Sequence, residues 1–323
     1  MNGIICLDKP QGFTSFDAVA KLRGILQTRR LGHGGTLDPM ATGVLPIFVG
    51  NATKACDIMP DNTKSYRAGF RLGQVSDTQD VTGTILAEYQ KEVPQEDILA
   101  VIPEFTGKIM QLPPMYSAVQ VNGKRLYDLA RQGIEVERTP REIEVFSIDL
   151  ADYDESAREG VLEISCGKGT YIRTIINDIG ERLGCGGIMT SLVRTSSGGF
   201  TLADCHTFEE LQQARDEDRL EELILPIDRV FESLPKLRLG EAQTRMYKNG
   251  VKLDLSKLRD LKSTDDLYTV YGSGGAFIGT AFADRESGEL RIGKNMGCQH
   301  GKGFNCGRTR TFRRRTSWTQ GCS

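Results

Sequence analysis

The stretch best suited to chemistry is LGHGGTLDPMATG, residues 31–43. Consecutive glycines let a backbone approach a ligand closely and adopt positive φ. Beside them stand one histidine, His33, and one carboxylate, Asp38, which precedes Pro39. Four readings stay open on these residues alone. A phosphate cradle is one, but the Gly-Lys-Ser/Thr that completes a P-loop is missing. A metal site is another, with only His33 and Asp38 at hand and the other histidines remote in sequence. The third is a single catalytic carboxylate, Asp38, held by a rigid turn. The fourth is a plain turn started by Asp-Pro.

A second candidate is GKGTYIR, residues 167–173. A loop of this kind, leading into a helix, can bind phosphate at the helix N-terminus. Arg173 falls in the first turn, where a cation opposes the helix macrodipole. A carboxylate partner would relieve that cost; a surface arginine is the alternative. Tyr171, two residues earlier, faces another side.

The elements that must hold these residues are legible in part. Ile4–Leu7 reads as a buried strand ending in the turn LDKPQG. Thr14 or Ser15 caps an amphipathic helix over 15–27, with Phe16, Val19, Leu22, Ile25 and Leu26 at helical spacing. The stretch 31–43 has too many glycines for a regular element and is expected as a loop. Residues 64–73 alternate, with Tyr66, Ala68, Phe70 and Leu72 on one face and Arg67 and Arg71 on the other. Residues 81–88 are expected as the partner of that strand, and 95–104 as a short helix after Pro94. Strands follow near 143–150 and 161–166, then a helix carrying Ile172, Ile175, Ile176, Ile179 and Leu183 and closed by Gly184.

Residues 108–141 differ in kind. Pro-Pro, an Asn-Gly turn and the cations Lys124, Arg125, Arg131, Arg138 and Arg141 alternate with Tyr116 and Tyr127. They are expected to leave the core as an excursion. A linker helix is expected within 205–220, a small helix near 240–248, and strands near 267–273, 276–283 and 289–293.

Composition sets the frame. The chain has 323 residues with 39% hydrophobic and 26% charged, ordinary for a globular protein of about two domains. No run approaches the roughly 20 apolar residues of a membrane span. The N-terminus has no basic n-region or long apolar h-region, so a secretory signal is not expected. The formal charge is −2, so the total demands no polyanionic partner. Eight cysteines in a chain of this length read as reduced thiols and not as a disulfide framework. The last 26 residues, Cys298–Ser323, carry five Arg and one Lys with no Asp or Glu. They hold no Ile, Leu, Val, Ala or Met, too little apolar surface to offset backbone ordering. A disordered tail dispensable for catalysis is expected, with a basic RNA-binding arm as the alternative. Cys298, His300, Cys306 and Cys322 match no common zinc spacing.

Several stretches together resemble the TruB family of tRNA pseudouridine synthases. They are IICLDKPQGFTSFDAV, RRLGHGGTLDPMATGVLPIFVGNATK, KSYRAGFRLG, GKIMQLPPMYSAVQVNGKRLYDLARQGIEVER, CGKGTYIRTIINDIGERLG and LVRTSSGGF. They run in order over about 1–230. The resemblance implies an α/β (α+β) fold with a mixed, mainly antiparallel sheet and flanking helices. It implies a catalytic domain over 1–230 with an RNA-clamping insertion at 108–141, and a small PUA-like β domain over 231–297.

The implied reaction turns a uridine in the T-arm loop of tRNA into its C-glycoside isomer, with no cofactor and no metal. Asp38 matches the essential carboxylate, acting as nucleophile or as base at C2′. Such a carboxylate works in its charged form, which a neighbouring cation favours; Arg173 matches that cation. The target base must leave its stack to be reached. Tyr66 matches the tyrosine that stacks on it and is placed to handle the C5 proton, while Tyr171 and Leu192 match residues lining the same pocket. His33 matches a residue that fills the space left by flipped bases. Lys9 matches a position near the site and is expected to be structural. Lys124, Arg125 and Arg131 in the insertion are expected to bind RNA. The partner is tRNA, without a membrane, for a cytoplasmic monomer. A tRNA-binding or RNA-chaperone protein with secondary or lost catalysis is the rival; Asp38 within an intact GGTLDP loop argues against it.

Overall fold

The computed structural model describes residues 1–121, 123–261 and 266–296. The expected tail at 298–323 therefore lies outside the described residues, as does Asn122 of the expected Asn-Gly turn.

Two sheets carry the chain. In the larger, the strands run in the order Cys205–His206, Gly3–Lys9, Thr42–Val49, Gly187–Ser197, Lys64–Leu72, Glu159–Cys166, Arg141–Asp154 and Gly107–Gln111. Two contacts are parallel, Gly3–Lys9 with Cys205–His206 and Thr42–Val49 with Gly187–Ser197; the other contacts in this order are antiparallel. This is the mixed, mainly antiparallel sheet that the resemblance implies.

The central strands are buried on both faces, which is why IICL and VLPIF read as unbroken apolar runs. Ile5, Leu7, Leu45 and Ile47 pack under the helices Ser15–Ile25 and Ile172–Arg182. Ile4, Cys6, Val44 and Phe48, one residue out of phase, join Phe200, Val230 and Phe231 on the opposite face. Helix Ser15–Ile25 starts where a capping box forms between Thr14 and Asp17.

Three local expectations change. Leu31–His33 is a strand, not loop, because it pairs antiparallel with Ile47–Val49. Residues 85–88 pair with Gln74–Ser76 in a separate ribbon and not with 64–73. The neighbours of Lys64–Leu72 are instead Glu159–Cys166 and the strand Gly187–Ser197, which no alternation in its sequence announces. The insertion is shorter than 108–141, because Gly107–Gln111 and the start of Arg141–Asp154 pair at the sheet edge. What leaves the core is 112–140, with a two-residue hairpin and the short helix Leu126–Ala130.

The second sheet orders Lys236–Arg238, Leu267–Tyr271, Phe277–Asp284, Glu289–Asn295 and Leu253–Asp254, beside helix Glu241–Lys248. Its own core includes Leu237, Tyr247, Tyr268 and Ile278. It is moored to the first unit by Phe277 stacked on Phe231 at 5.8 Å and by Tyr271 donating to Asp228 at 2.8 Å. No helix among the described residues is long and apolar enough to cross a membrane.

Candidate active site

The glycine-rich loop is clasped from below by the N-terminal turn. The Ser15 hydroxyl accepts from the Leu37 amide at 2.8 Å, and the Gly12 amide donates to the Pro39 carbonyl at 2.7 Å. The Ala41 amide donates back to the Asp38 carbonyl at 3.1 Å, so Asp38 and Pro39 open a tight turn. The Leu37 amide is thus spent inside the protein, and the carbonyls of Gly35 and Thr36 face the Arg194 guanidinium. Asp38 is left half-buried at the tip.

Arg173 meets that carboxylate. Its Nη2 lies 3.3 Å from Asp38 Oδ2, and its Nη1 lies 3.7 Å from Asp80 Oδ2. The same Nη2 donates to the Tyr116 carbonyl at 2.5 Å. Arg173 is only 5% exposed, which rules out the surface reading. Asp80 is itself fixed: its Oδ1 accepts from Thr82 N at 2.9 Å, Thr82 Oγ1 at 2.5 Å and Thr78 Oγ1 at 2.8 Å. A buried guanidinium is thereby held between two carboxylates, one anchored and one half-exposed, which answers why the helix tolerates a cation in its first turn.

Tyr66 lies on the helix-facing side of its strand, buried among Ala68, Phe70 and Leu192. Burial pushes its phenol up to about 12, against the opposing pull of Arg194, so the hydroxyl is neutral through the physiological range. Leu192 sits opposite Ala68. Tyr171 is the N-cap of Ile172–Arg182, not part of its first turn, and its backbone is gripped on both sides by the Gln111 amide at 2.9 and 3.0 Å.

Lys9 is fully buried, donating to the carbonyls of Phe13 at 2.6 Å and Pro10 at 3.0 Å. Burial lowers it to about 8. It ties the N-terminal turn that clasps the Asp38 loop.

His33 lines a cavity of about 250 Å³ with Gly35, Cys56, Lys64, Ser197 and Gly198. Burial lowers its imidazole pKa, and its Nδ1 is buried without a hydrogen-bond partner. Among the described residues no three His, Cys, Asp or Glu side chains gather where a metal ion could be held.

The insertion cations stand apart from this cluster. Arg125 and Arg131 both lie over the Tyr127 ring, at 5.7 and 5.6 Å, and Lys124 is exposed on the hairpin. The insertion is nonetheless joined to the site, since the Tyr116 carbonyl at its base accepts from Arg173. Two residues in the cluster, Asp80 and Arg194, were not among the sequence candidates. Arg194 lies within LVRTSSGGF, and a charge directly after the apolar Leu192 and Val193 was the one available signal. Asp80 lies in a turn-rich stretch with several polar residues and carried none.

Residues 23–172 match the TruB family pseudouridylate synthase N-terminal domain, and 173–232 match the tRNA pseudouridylate synthase B C-terminal domain. The two meet at the start of helix Ile172–Arg182. A tRNA pseudouridine synthase B from Clostridium kluyveri is 42% identical over 279 residues, covering 86% of this chain and 94% of that protein. One from Bacillus velezensis is 45% identical over 260 residues, covering 79% and 84%. Among solved structures, a chain of a Cbf5-Nop10-Gar1 complex superposes with a TM-score of 0.71 at 27% identity, covering 91% of this chain and 85% of that one. A chain of an H/ACA RNP bound to a substrate RNA containing 2′-deoxyuridine gives 0.70 at 25% identity, covering 92% and 86%.

Proposed function

The chain belongs to the TruB family of pseudouridylate synthases, and we propose that it isomerises one uridine in the T-arm loop of tRNA to pseudouridine. The observation that carries this reading is the Asp38–Arg173–Asp80 arrangement, with Asp38 half-exposed and the other two buried. One carboxylate is presented to solvent and held at fixed distance by a buried cation, which is what chemistry at C1′ or C2′ of a sugar requires. The glycosidic N1–C1′ bond breaks, the base turns, C5 bonds to C1′, the C5 hydrogen leaves as a proton, and N1 takes up a proton, so that product and substrate are isomers. The uridine is flipped out of its loop, Tyr66 stacks on it, and Tyr171 and Leu192 line its pocket. His33 fills space vacated in the RNA loop. Lys124, Arg125 and Arg131 contact phosphates from the insertion at 112–140. The chain works as a cytoplasmic monomer, with a catalytic domain over 1–230 and a PUA-like C-terminal domain that touches the acceptor stem.

The test follows the C5 hydrogen. A tRNA transcript made with uridine tritiated at C5 should release one equivalent of label to water per tRNA. Binding without release would leave a tRNA-binding protein and remove the enzyme.

Tyr66→Phe and Tyr66→Leu separate stacking from proton handling. Phe keeps the ring and loses the hydroxyl, so tRNA affinity holds while the chemical step slows. Leu also removes a stacking surface worth about 1–3 kcal/mol. Near-normal turnover by Phe would remove the proton role, and by Leu the stacking role as well.

The insertion gives a further expectation. Apart from buried Pro113, Pro114, Ser117, Leu126 and Leu129 and the Arg138–Pro113 contact at 3.1 Å, the described residues of 112–140 are exposed or half-exposed. Its amides should exchange quickly in free protein and become protected on tRNA. Equal protection in both states would count against a clamp.

A further inference from the structure

Among the described residues Arg194 is the largest of the fully buried side chains. Among the described residues it forms no ion pair with any carboxylate. A buried charge without a counter-ion is costly unless its N–H groups are satisfied. Here they are satisfied by the catalytic loop: Nε donates to the Val44 carbonyl at 2.7 Å, Nη1 to Thr36 and Nη2 to Gly35 at 3.4 Å each. Those three carbonyls flank Asp38 in the chain on both sides.

The strand register adds a second contact. Arg194 stands directly opposite Tyr66 across the antiparallel pair, so the two side chains share one face. Across that pair the guanidinium acts on the Tyr66 phenol, pulling its pKa down against the rise that burial imposes. On the other edge, Arg194 pairs with Gly43, whose φ is +97° and where any Cβ would collide with the Arg194 backbone oxygen. The loop can close on Arg194 only because that residue is glycine.

We propose that Arg194 is a positioning residue for the isomerisation: one buried guanidinium ties the Asp38 loop and the Tyr66 side chain to a single rigid point. Carboxylate and phenol then meet the flipped uridine at a fixed separation. The inference rests on the function proposed above. The planar fork of arginine serves several divergent carbonyls, which a lysine ammonium on a flexible stem cannot reproduce.

Arg194→Lys and Arg194→Gln test it, measured below each variant's melting midpoint. Arg194→Lys should bind tRNA within about threefold of the parent, because affinity comes mainly from phosphates. Its single-turnover rate should fall roughly 100-fold, the scale of a misplaced catalytic group. Adding Tyr66→Phe to Arg194→Lys should cost much less than Tyr66→Phe alone, since the hydroxyl is already released. Full rates in both Arg194 variants, or losses that simply multiply with Tyr66→Phe, would overturn the proposal.

Should the Arg194 variants not fold, ¹⁵N-arginine NMR of the parent and of Tyr66→Phe decides. An Arg194 guanidinium resonance that moves on Tyr66→Phe supports the tie, and one that does not move removes it. Failure of the functional reading looks different: the parent itself would then bind tRNA and release no C5 label, whatever the Arg194 variants do.

Discussion

Asp38→Asn should abolish pseudouridine formation, by more than about 10⁴-fold in single turnover, and leave tRNA affinity within about tenfold. The two halves have separate physical causes. Affinity for a folded RNA comes from phosphates, shape and stacking spread over the protein surface. Asp38 is a half-buried side chain at a turn tip, and its hydrogen bonds to the fold run through its backbone carbonyl. Asparagine keeps the volume and the turn, because Asn also starts Asx-type turns before proline. What it removes is the negative charge that attacks C1′ or takes the C2′ proton. Thermal unfolding of the variant should lie close to the parent. A variant that folds, binds and still isomerises would refute the role given to Asp38.

Arg173 should give the second-largest loss, with a different signature. Arg173→Lys keeps a charge but loses the fork that reaches Asp38 at 3.3 Å, Asp80 at 3.7 Å and the Tyr116 carbonyl at 2.5 Å together. The rate should fall about 10²–10³-fold, as when one oriented donor is withdrawn from a reacting centre. Arg173→Met goes further. Asp80 is buried, and removing the cation leaves its charge supported only by Thr78 and Thr82. Breaking a buried pair in this way costs about 3–5 kcal/mol, so the melting temperature should drop by roughly 6–20 °C. Asp80→Asn should act in the same direction on the rate with a smaller effect on stability, because its hydroxyl donors remain. If Arg173→Met were as stable and as active as the parent, the ion-pair network would be incidental.

The parts of this arrangement readable beforehand were those with local signals. Helix Ser15–Ile25 announced itself through Thr14 and a repeat of apolar residues. The strand bearing Tyr66 did so through strict alternation of Tyr66, Ala68, Phe70 and Leu72 with Arg67 and Arg71, whose charges pair with Glu163 and Glu159 on the other face. The Asp38 loop stood out by its glycines, though residues alone left four chemistries open; resemblance to a family pointed to one. Strands buried on both faces were harder. Thr42–Val49 lacks a polar face, so alternation had nothing to report, and Gly187–Ser197 mixes apolar residues with Thr and Ser in no regular alternation. Arg194 was missed for the same reason, since its partners are backbone carbonyls 150 or more residues away. Asp80 depends on a turn whose meaning appears only when Arg173 is brought beside it. The tie from Tyr116 to Arg173 is likewise tertiary, 57 residues apart.

The central claim, isomerisation of one T-arm uridine, is met most directly by mapping. Purified protein is incubated with an unmodified tRNA transcript, and pseudouridine is located along the RNA. A second transcript carries cytidine in place of the T-arm uridine. The account predicts a single pseudouridine in the T-arm loop of the first transcript, and none in the second. No pseudouridine in either, with tRNA nonetheless bound, or pseudouridine formed elsewhere in both, would contradict it.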